Sequence, residues 1–222
     1  GTGLSEGDRA SLRERAQGAH HRAAKPMVRR VTAAHPKDNG IAGDFGVALK
    51  LLGAVETQEE TLRRVRAAMD TVYLFAYGFD RRDLTEELIE ARGRGVRVVC
   101  GFDRRTTLSG TPRDMCQIAQ ELDSHGVEVR LMNGVSVTDE YREVNRVVNG
   151  TGLQHAKGVL LADVLIVGSC NWRTSSRSNF ELGVLVRLRS EVVPIVTATF
   201  MERLALGQRL DQDAGVAARK PY

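Results

Sequence analysis

Five side chains between residues 155 and 181 have the types that attack and hold a phosphate group. His155 supplies an imidazole that can act as nucleophile or base, and Lys157 supplies a positive point charge for the non-bridging phosphate oxygens. Ser169 and Asn171 add neutral hydrogen-bond donors, and the Glu181 carboxylate is of the kind that fixes an imidazole tautomer. Together these residues predict phosphate-ester chemistry.

A β-hairpin is expected to bring these groups to one edge of a sheet. Residues 154–161 and 164–168 have the composition of two strands, joined by a tight turn at Ala162–Asp163. His155 and Lys157 are two residues apart, so on one strand they point to the same face. The serine and the asparagine follow the end of the second strand.

Alternating strands and helices precede this hairpin. Thr57 and Glu60 have the spacing of a capping box, which predicts a helix that ends near Asp70. Three later apolar runs, separated by segments of helical periodicity, are typical of buried strands: residues 71–77, 96–102 and 127–132. We interpret this order as an α/β fold, an α-β-α sandwich in which a largely parallel sheet has helices on both faces.

The remaining segments are less regular. Residues 133–152 are polar and rich in glycine, which predicts a loop with one short helical turn at 140–147. A further strand is expected at 181–188 and a closing helix at 191–206. We predict a basic, disordered leader over residues 1–45, a catalytic domain over 46–208 and a tail over 209–222.

Charge is concentrated in the leader. Residues 1–40 carry eight Lys or Arg against four Asp or Glu, which leaves 24 of each in the rest of the 222-residue chain. The net charge of +4 therefore describes the leader, which has the composition to contact an anionic membrane or a nucleic acid. No stretch approaches the roughly 18 apolar residues of a membrane span.

The cysteines and histidines indicate no metal site. Cys100, Cys116 and Cys170 are odd in number and lack CxxC spacing, which is typical of free buried thiols in a reducing compartment and favours an intracellular location. The histidines other than His155 lie far from any pair of cysteines.

The motif residues resemble a known family. His155-x-Lys157, then Gly168-Ser169-x-Asn171-Trp172 and then Asn179-x-Glu181, is similar to the HKD motif of the phospholipase D superfamily. The resemblance extends over residues 48–206 and includes Arg94-Gly95-Val96, which leads a strand to Asp103. It implies a phospholipase D-like mixed sheet. The motif aspartate is shifted here by one residue, to Asp163, and a shortened hairpin explains the shift.

The resemblance implies a mechanism and a partner. The histidine attacks phosphorus, a phosphohistidine forms, and water or another alcohol releases it, with no metal or cofactor required. A second histidine is needed as acid for the leaving oxygen, and this chain has one motif, since His35-Pro36-Lys37 has no GSxN after it. Single-motif members solve this as homodimers with facing histidines, so we predict a homodimer with its twofold axis at the active site.

Several neighbouring residues are open to more than one interpretation. Trp172 is a candidate for substrate contact, but packing is the simpler role. The arginines at 173, 177, 187 and 189 have the type that attracts phosphate, yet a solvated face explains them equally well. Asp103-Arg104-Arg105 follows a strand where α/β sheets open their crevice, which makes it a candidate for substrate contact.

Three functions remain open at the level of sequence. The first is a lipid phosphodiesterase acting on phosphatidyl substrates or cardiolipin; the resemblance to mitochondrial cardiolipin hydrolases implies association with mitochondria. The second is a metal-independent endonuclease with the same chemistry. The third is a degenerate domain that binds phosphate without turnover. A lipase requires an exposed apolar surface and a nuclease a basic groove, and the sequence reveals neither.

Overall fold

Nine strands form one sheet in the residues that the computed structural model describes, 46–109, 114–136 and 151–212. The strands are β1 (Gly46–Leu52), β2 (Thr71–Ala76), β3 (Arg97–Asp103), β4 (Glu128–Ser136), β5 (Thr151–Leu153), β6 (Gly158–Leu161), β7 (Val164–Gly168), β8 (Gly183–Leu188) and β9 (Gln208–Arg209). Their order is β1-β8-β7-β6-β2-β3-β4, and both β5 and β9 pair with β4.

The mixed α/β sheet is confirmed, but it is less parallel than predicted. Only β2, β3 and β4 run parallel to one another among the described strands. The other pairings are antiparallel, including β6 with β2 and β1 with β8. The helical connections predicted upstream produce the parallel centre, whereas the hairpin and the strands after it extend the sheet in alternating directions.

Helices cover both faces of the sheet, as predicted. They are α1 (Ala54–Arg66), α2 (Arg82–Gly93), α3 (Arg104–Ser109), α4 (Asp114–Ser124) and α5 (Val193–Ala205). The first four lie on one face, where Leu88 and Ile118 join a core with Leu74 of β2. On the other face, Leu204 of α5 packs with Tyr73 and other strand residues. None of the described helices is long and apolar enough to cross a membrane.

The first helix begins earlier than predicted. Gly53 precedes its first residue, and the Glu56 carboxylate accepts the Gly53 N–H at 2.9 Å. Thr57 already lies inside the helix, where its hydroxyl donates to the Gly53 carbonyl at 2.7 Å. The capping box predicted at Thr57 and Glu60 is therefore wrong, because the glutamate that bonds the N-cap backbone is Glu56, one turn before Glu60.

The hairpin is confirmed, with a correction to its first strand. Strands β6 and β7 pair in register across the turn, where Ala162 has a left-handed φ of 47°. Strand β6 begins only at Gly158, so His155 and Lys157 lie in non-strand backbone before it. Their predicted placement on one strand is wrong, although their side chains still meet.

The borders of the domain also differ in detail. Strand β1 was not predicted, and β4 continues through Asn133 to Ser136 into the region predicted as loop. Beyond the predicted boundary at 208, Leu210 is buried in the core. The leader, the turn expected at 140–147 and residues 213–222 lie outside the described residues.

Candidate functional site

His155 and Lys157 contact each other directly. The Lys157 ammonium donates to Nδ1 of His155 at 2.9 Å and to the His155 carbonyl at 2.7 Å. Tyr77, just after β2, lies beside both: its ring centroid is 4.4 Å from that of the imidazole and 4.9 Å from Lys157 Nζ. Lys157 is buried while His155 is exposed, so the imidazole faces solvent beside a sheltered cation.

The surroundings favour a neutral imidazole. Partial desolvation, then the Lys157 charge, lowers the pKa of His155 below its usual value, and the Asp103 charge opposes both. Burial also lowers the pKa of Lys157, against the opposing charges of Glu181 and Asp103. A neutral imidazole has a free lone pair, which nucleophilic attack requires.

Ser169 and Glu181 form a second group where β7 ends and β8 begins. The Ser169 hydroxyl donates to Oε2 of Glu181 and accepts the Leu182 N–H at 3.1 Å. Asn179 donates to Oε1 of the same carboxylate at 3.1 Å. Glu181 thus accepts hydrogen bonds from these two side chains. It does not bond His155, so the contact with the imidazole that the sequence predicted is not formed. Its charge still acts on Lys157, which connects the two groups.

A side chain from α1 holds the loop between Ser169 and a 3₁₀ turn at Thr174–Ser178. The buried Gln58 amide donates to the carbonyls of Asn171 at 2.8 Å and Arg173 at 2.9 Å, and its oxygen accepts from the buried Arg81. Oδ1 of Asn171 is buried without a hydrogen-bond partner among the described residues. The sequence analysis did not identify Gln58 as a site residue. A signal was present, because Gln58 lies one helical turn before Leu62 and so places a polar side chain on the apolar face of α1.

Asp103 supports the loop that carries His155. It is 1% exposed, and Oδ2 accepts the Gln154 N–H at 2.8 Å. Asp103 is too buried to contact a substrate, so the predicted substrate contact is wrong. The carboxylate instead bonds the backbone next to His155.

Two other predicted site residues lie elsewhere. Asp163 is in the hairpin turn at the opposite end of β6 and β7 from His155, with its carboxylate 3.9 Å from Nε of Arg187. Trp172 is 1% exposed and donates from Nε1 to the Phe75 carbonyl at 3.0 Å. The catalytic role considered for Asp163 and the substrate contact considered for Trp172 are therefore corrected.

The predicted arginine surface is largely neutralised. Arg173 lies 3.9 Å from Asp80, Arg177 pairs with Glu59, and Arg187 faces the hairpin-turn carboxylate. Paired cations in solvent attract a polyanion less than free ones do. A continuous basic track is therefore not formed by these three arginines.

An open groove of about 460 Å³ begins at His155. Its walls are mostly apolar and come from the ends of β2 and β4, from β5 and the loop after it, and from the end of α5: Phe75, Met132, Asn133, Gly134, Leu153, Gln154, Ala156, Arg203 and Leu206. The one charged group of this lining is the Arg203 guanidinium. The sequence pattern does not predict this groove, because its walls come from four segments that are separate in the sequence.

Comparison with known proteins identifies the family of the chain. The family described as "Cardiolipin synthase, PLD-like domain" matches residues 61–204. No curated protein matches the chain in sequence.

Solved structures share the fold at low identity. Nuc from Salmonella typhimurium, described as a phospholipase D family member, is 19% identical with a TM-score of 0.57, covering 73% of this chain and 97% of that one. NucT from Helicobacter pylori is 18% identical with a TM-score of 0.61, covering 75% and 99%. Phosphatidylserine synthase from Haemophilus influenzae is 14% identical with a TM-score of 0.53, covering 70% and 37%. Since the family match spans well over half of the sequence, the chain belongs to the phospholipase D superfamily.

Proposed function

We propose that the protein is a phosphodiesterase of the phospholipase D type that hydrolyses phospholipids, with phosphatidyl lipids or cardiolipin as substrates. Membership of the superfamily supports hydrolysis of phosphate diesters in general. The observation that carries the lipid assignment is the apolar groove that begins at His155. An acyl chain binds such a surface favourably because its apolar area leaves water, whereas a nucleic acid backbone binds favourably to a surface rich in cations.

In this proposal His155 is the nucleophile. A phosphate oxygen draws the Lys157 ammonium away from Nδ1, which frees the imidazole to attack. A nitrogen–phosphorus bond forms as the bond from phosphorus to the leaving oxygen breaks, and that oxygen takes a proton from the acid supplied by a second copy of the chain. Water then cleaves the phosphohistidine and releases His155. Asn171 and Ser169 donate to the phosphate, and for this the Ser169 hydroxyl proton, which Glu181 accepts in the free protein, turns to a phosphate oxygen.

We also propose that two chains form a homodimer with the twofold axis at the active site. The described part of the chain brings no second histidine to His155, because His125 lies at the end of α4. Phe180 is fully exposed and Leu182 is 56% exposed on either side of Glu181. A second copy would supply the missing acid and cover these apolar side chains.

The substrate class is tested with matched substrates and variants. Vesicles of phosphatidylcholine with cardiolipin, single-stranded and duplex oligonucleotides, and bis(p-nitrophenyl) phosphate are each incubated with the wild type, Leu153→Lys and Met69→Lys. Leu153 lines the groove, whereas the exposed Met69 lies at the opposite end of the sheet. We expect Leu153→Lys alone to lose lipid hydrolysis while keeping activity on the small diester.

Other outcomes identify the alternatives. Cleavage of oligonucleotides but not lipids by the wild type would assign the protein as an endonuclease. Binding of these substrates without turnover of any of them would assign a degenerate phosphate-binding domain.

A further inference from the structure

A buried carboxylate lies beneath the candidate nucleophile. Asp103 ends β3 and caps α3, where its Oδ1 accepts the Thr106 N–H at 2.8 Å. Helix capping accounts for one carboxylate oxygen only. The second oxygen reaches across to the Gln154 N–H at 2.8 Å, on a segment 51 residues later in the chain.

This second bond fixes the backbone next to the nucleophile. Gln154 immediately precedes His155, and its own side-chain amide donates to the Gly101 carbonyl at 3.3 Å. The segment leading to His155 is therefore tied to β3 at two points. Because His155 lies outside any strand, these ties at Gln154 fix the backbone next to it in place of ladder hydrogen bonds.

The negative charge of Asp103 stabilises positive charge on the His155 ring, which the proposed reaction creates. The charged groups that act on His155 are Lys157, whose cation disfavours the protonated ring, and Asp103, whose anion favours it; the Tyr77 ring packs beside it. When a neutral imidazole attacks phosphorus, the ring becomes a cation as the new bond forms. A fixed anion in a buried position stabilises that cation more than solvent-exposed charge would.

We propose that Asp103 is a positioning residue for His155, which holds the nucleophile's backbone through Gln154 and balances the positive charge that develops on the ring. This inference rests on the proposed function, in which His155 attacks phosphorus. Asp103 does not touch the substrate, because it is buried. Its effect passes through the Gln154 main chain and through the field at the imidazole.

Two variants separate this role from helix capping. Asp103→Asn and Asp103→Ser both keep a residue type that caps helices well, while both remove the charge. We expect kcat/KM on bis(p-nitrophenyl) phosphate to fall by about 10-fold to 100-fold, as found when supporting partners of metal-bound histidines are removed. Thr107→Val is the matched control, since the buried Thr107 donates only to the Asp103 carbonyl, at 2.8 Å.

The decisive readout is the His155 titration midpoint, followed by NMR and assigned with His155→Gln. Loss of the Asp103 charge should move the midpoint to lower pH in both variants and leave it unmoved in Thr107→Val. Folded Asp103 variants with an unchanged midpoint and unchanged kcat/KM would overturn the proposal. The titration needs no turnover, so an inactive wild type would contradict the proposed function, while an unmoved midpoint in the Asp103 variants would still overturn this inference.

Discussion

At the scale of single residues, the His155 and Lys157 pair is the centre of the account. Desolvation lowers the pKa of His155, and the Lys157 ammonium, which bonds Nδ1, lowers it further by repelling a proton on the ring. The imidazole should therefore be neutral, and ready to attack, at pH values where an ordinary histidine is partly protonated. We expect the acidic limb of kcat/KM to lie below the ordinary histidine pKa of 6.5.

Removing the lysine charge tests that explanation. In Lys157→Met the repulsion is lost, so the pKa of His155 should rise, opposite to the change expected on loss of the Asp103 charge. Turnover should also fall by about 100-fold or more, because a donor to the phosphate is lost. NMR titration of His155 measures the first effect and steady-state kinetics the second. A midpoint that falls or stays fixed would show that Lys157 does not control the ring.

Sequence reasoning named candidate chemical groups but did not assign the residues that support them. The candidate groups are recognisable because their types and spacing can be read within one short segment: His155, Lys157, Ser169 and Glu181. Supports such as Tyr77 and Asp103 come from strands that are distant in sequence. Their contacts depend on how β2 and β3 align with the segment before β6, which periodicity does not specify.

At the scale of elements, α1 is coupled to the site through Gln58. Gln58→Leu removes the donors to the Asn171 and Arg173 carbonyls and leaves a buried Arg81 without this acceptor. We expect the free energy of unfolding to drop by about 1 to 3 kcal/mol. Activity should fall further than stability alone explains, because the loop after Ser169 loses its support.

A buried threonine on the same helix provides the control. The Thr61 hydroxyl bonds only the Thr57 carbonyl one turn earlier, at 2.9 Å. Thr61→Val should cost stability and leave kcat/KM unchanged at a temperature where the protein is folded. Urea denaturation and kinetics on both variants make the comparison. Equal activity in the two variants would show that α1 serves only the core.

The close approach of β7 to β8 gives another test at this scale. A Cβ on Gly168 would collide with the Leu182 carbonyl and the Gly183 backbone, beside Ser169 and Glu181. Gly168→Ala should therefore displace the strand ends and impair both thermal stability and turnover. Gly93, the last residue of α2, has open space, so Gly93→Ala should be neutral or slightly stabilising. A fully active Gly168→Ala would contradict the placement of these strands.

The elements themselves were predicted with unequal success. The apolar run of β2 and the tight turn of the hairpin were recognised because burial on both faces and turn chemistry leave local signals. Strand β1 was missed: its positions 48–51 are all exposed, so no alternation of buried residues marks it. The antiparallel extension of the sheet was also underestimated, since it depends on long-range pairing.

At the scale of the whole molecule, we expect a dimer of the 24.4 kDa chain. Because the proposed acid comes from the second copy, specific activity should fall on dilution as dimers dissociate. Phe180→Asp replaces the exposed aromatic ring beside the site with a charge and should lower both the solution mass and the activity. Met69→Asp, at the other end of the sheet, should change neither. Analytical ultracentrifugation measures the solution mass, and assays on the same samples measure the activity. A fully active monomer would contradict the dimer.

The central claim is that His155 carries out phosphodiester hydrolysis. It is tested most directly by turnover of bis(p-nitrophenyl) phosphate in excess EDTA, with the wild type, His155→Ala and the exposed-histidine control His125→Ala measured side by side. The account predicts turnover by the wild type and the control and none by His155→Ala, with all three folded. Equal turnover by His155→Ala and the wild type would contradict it.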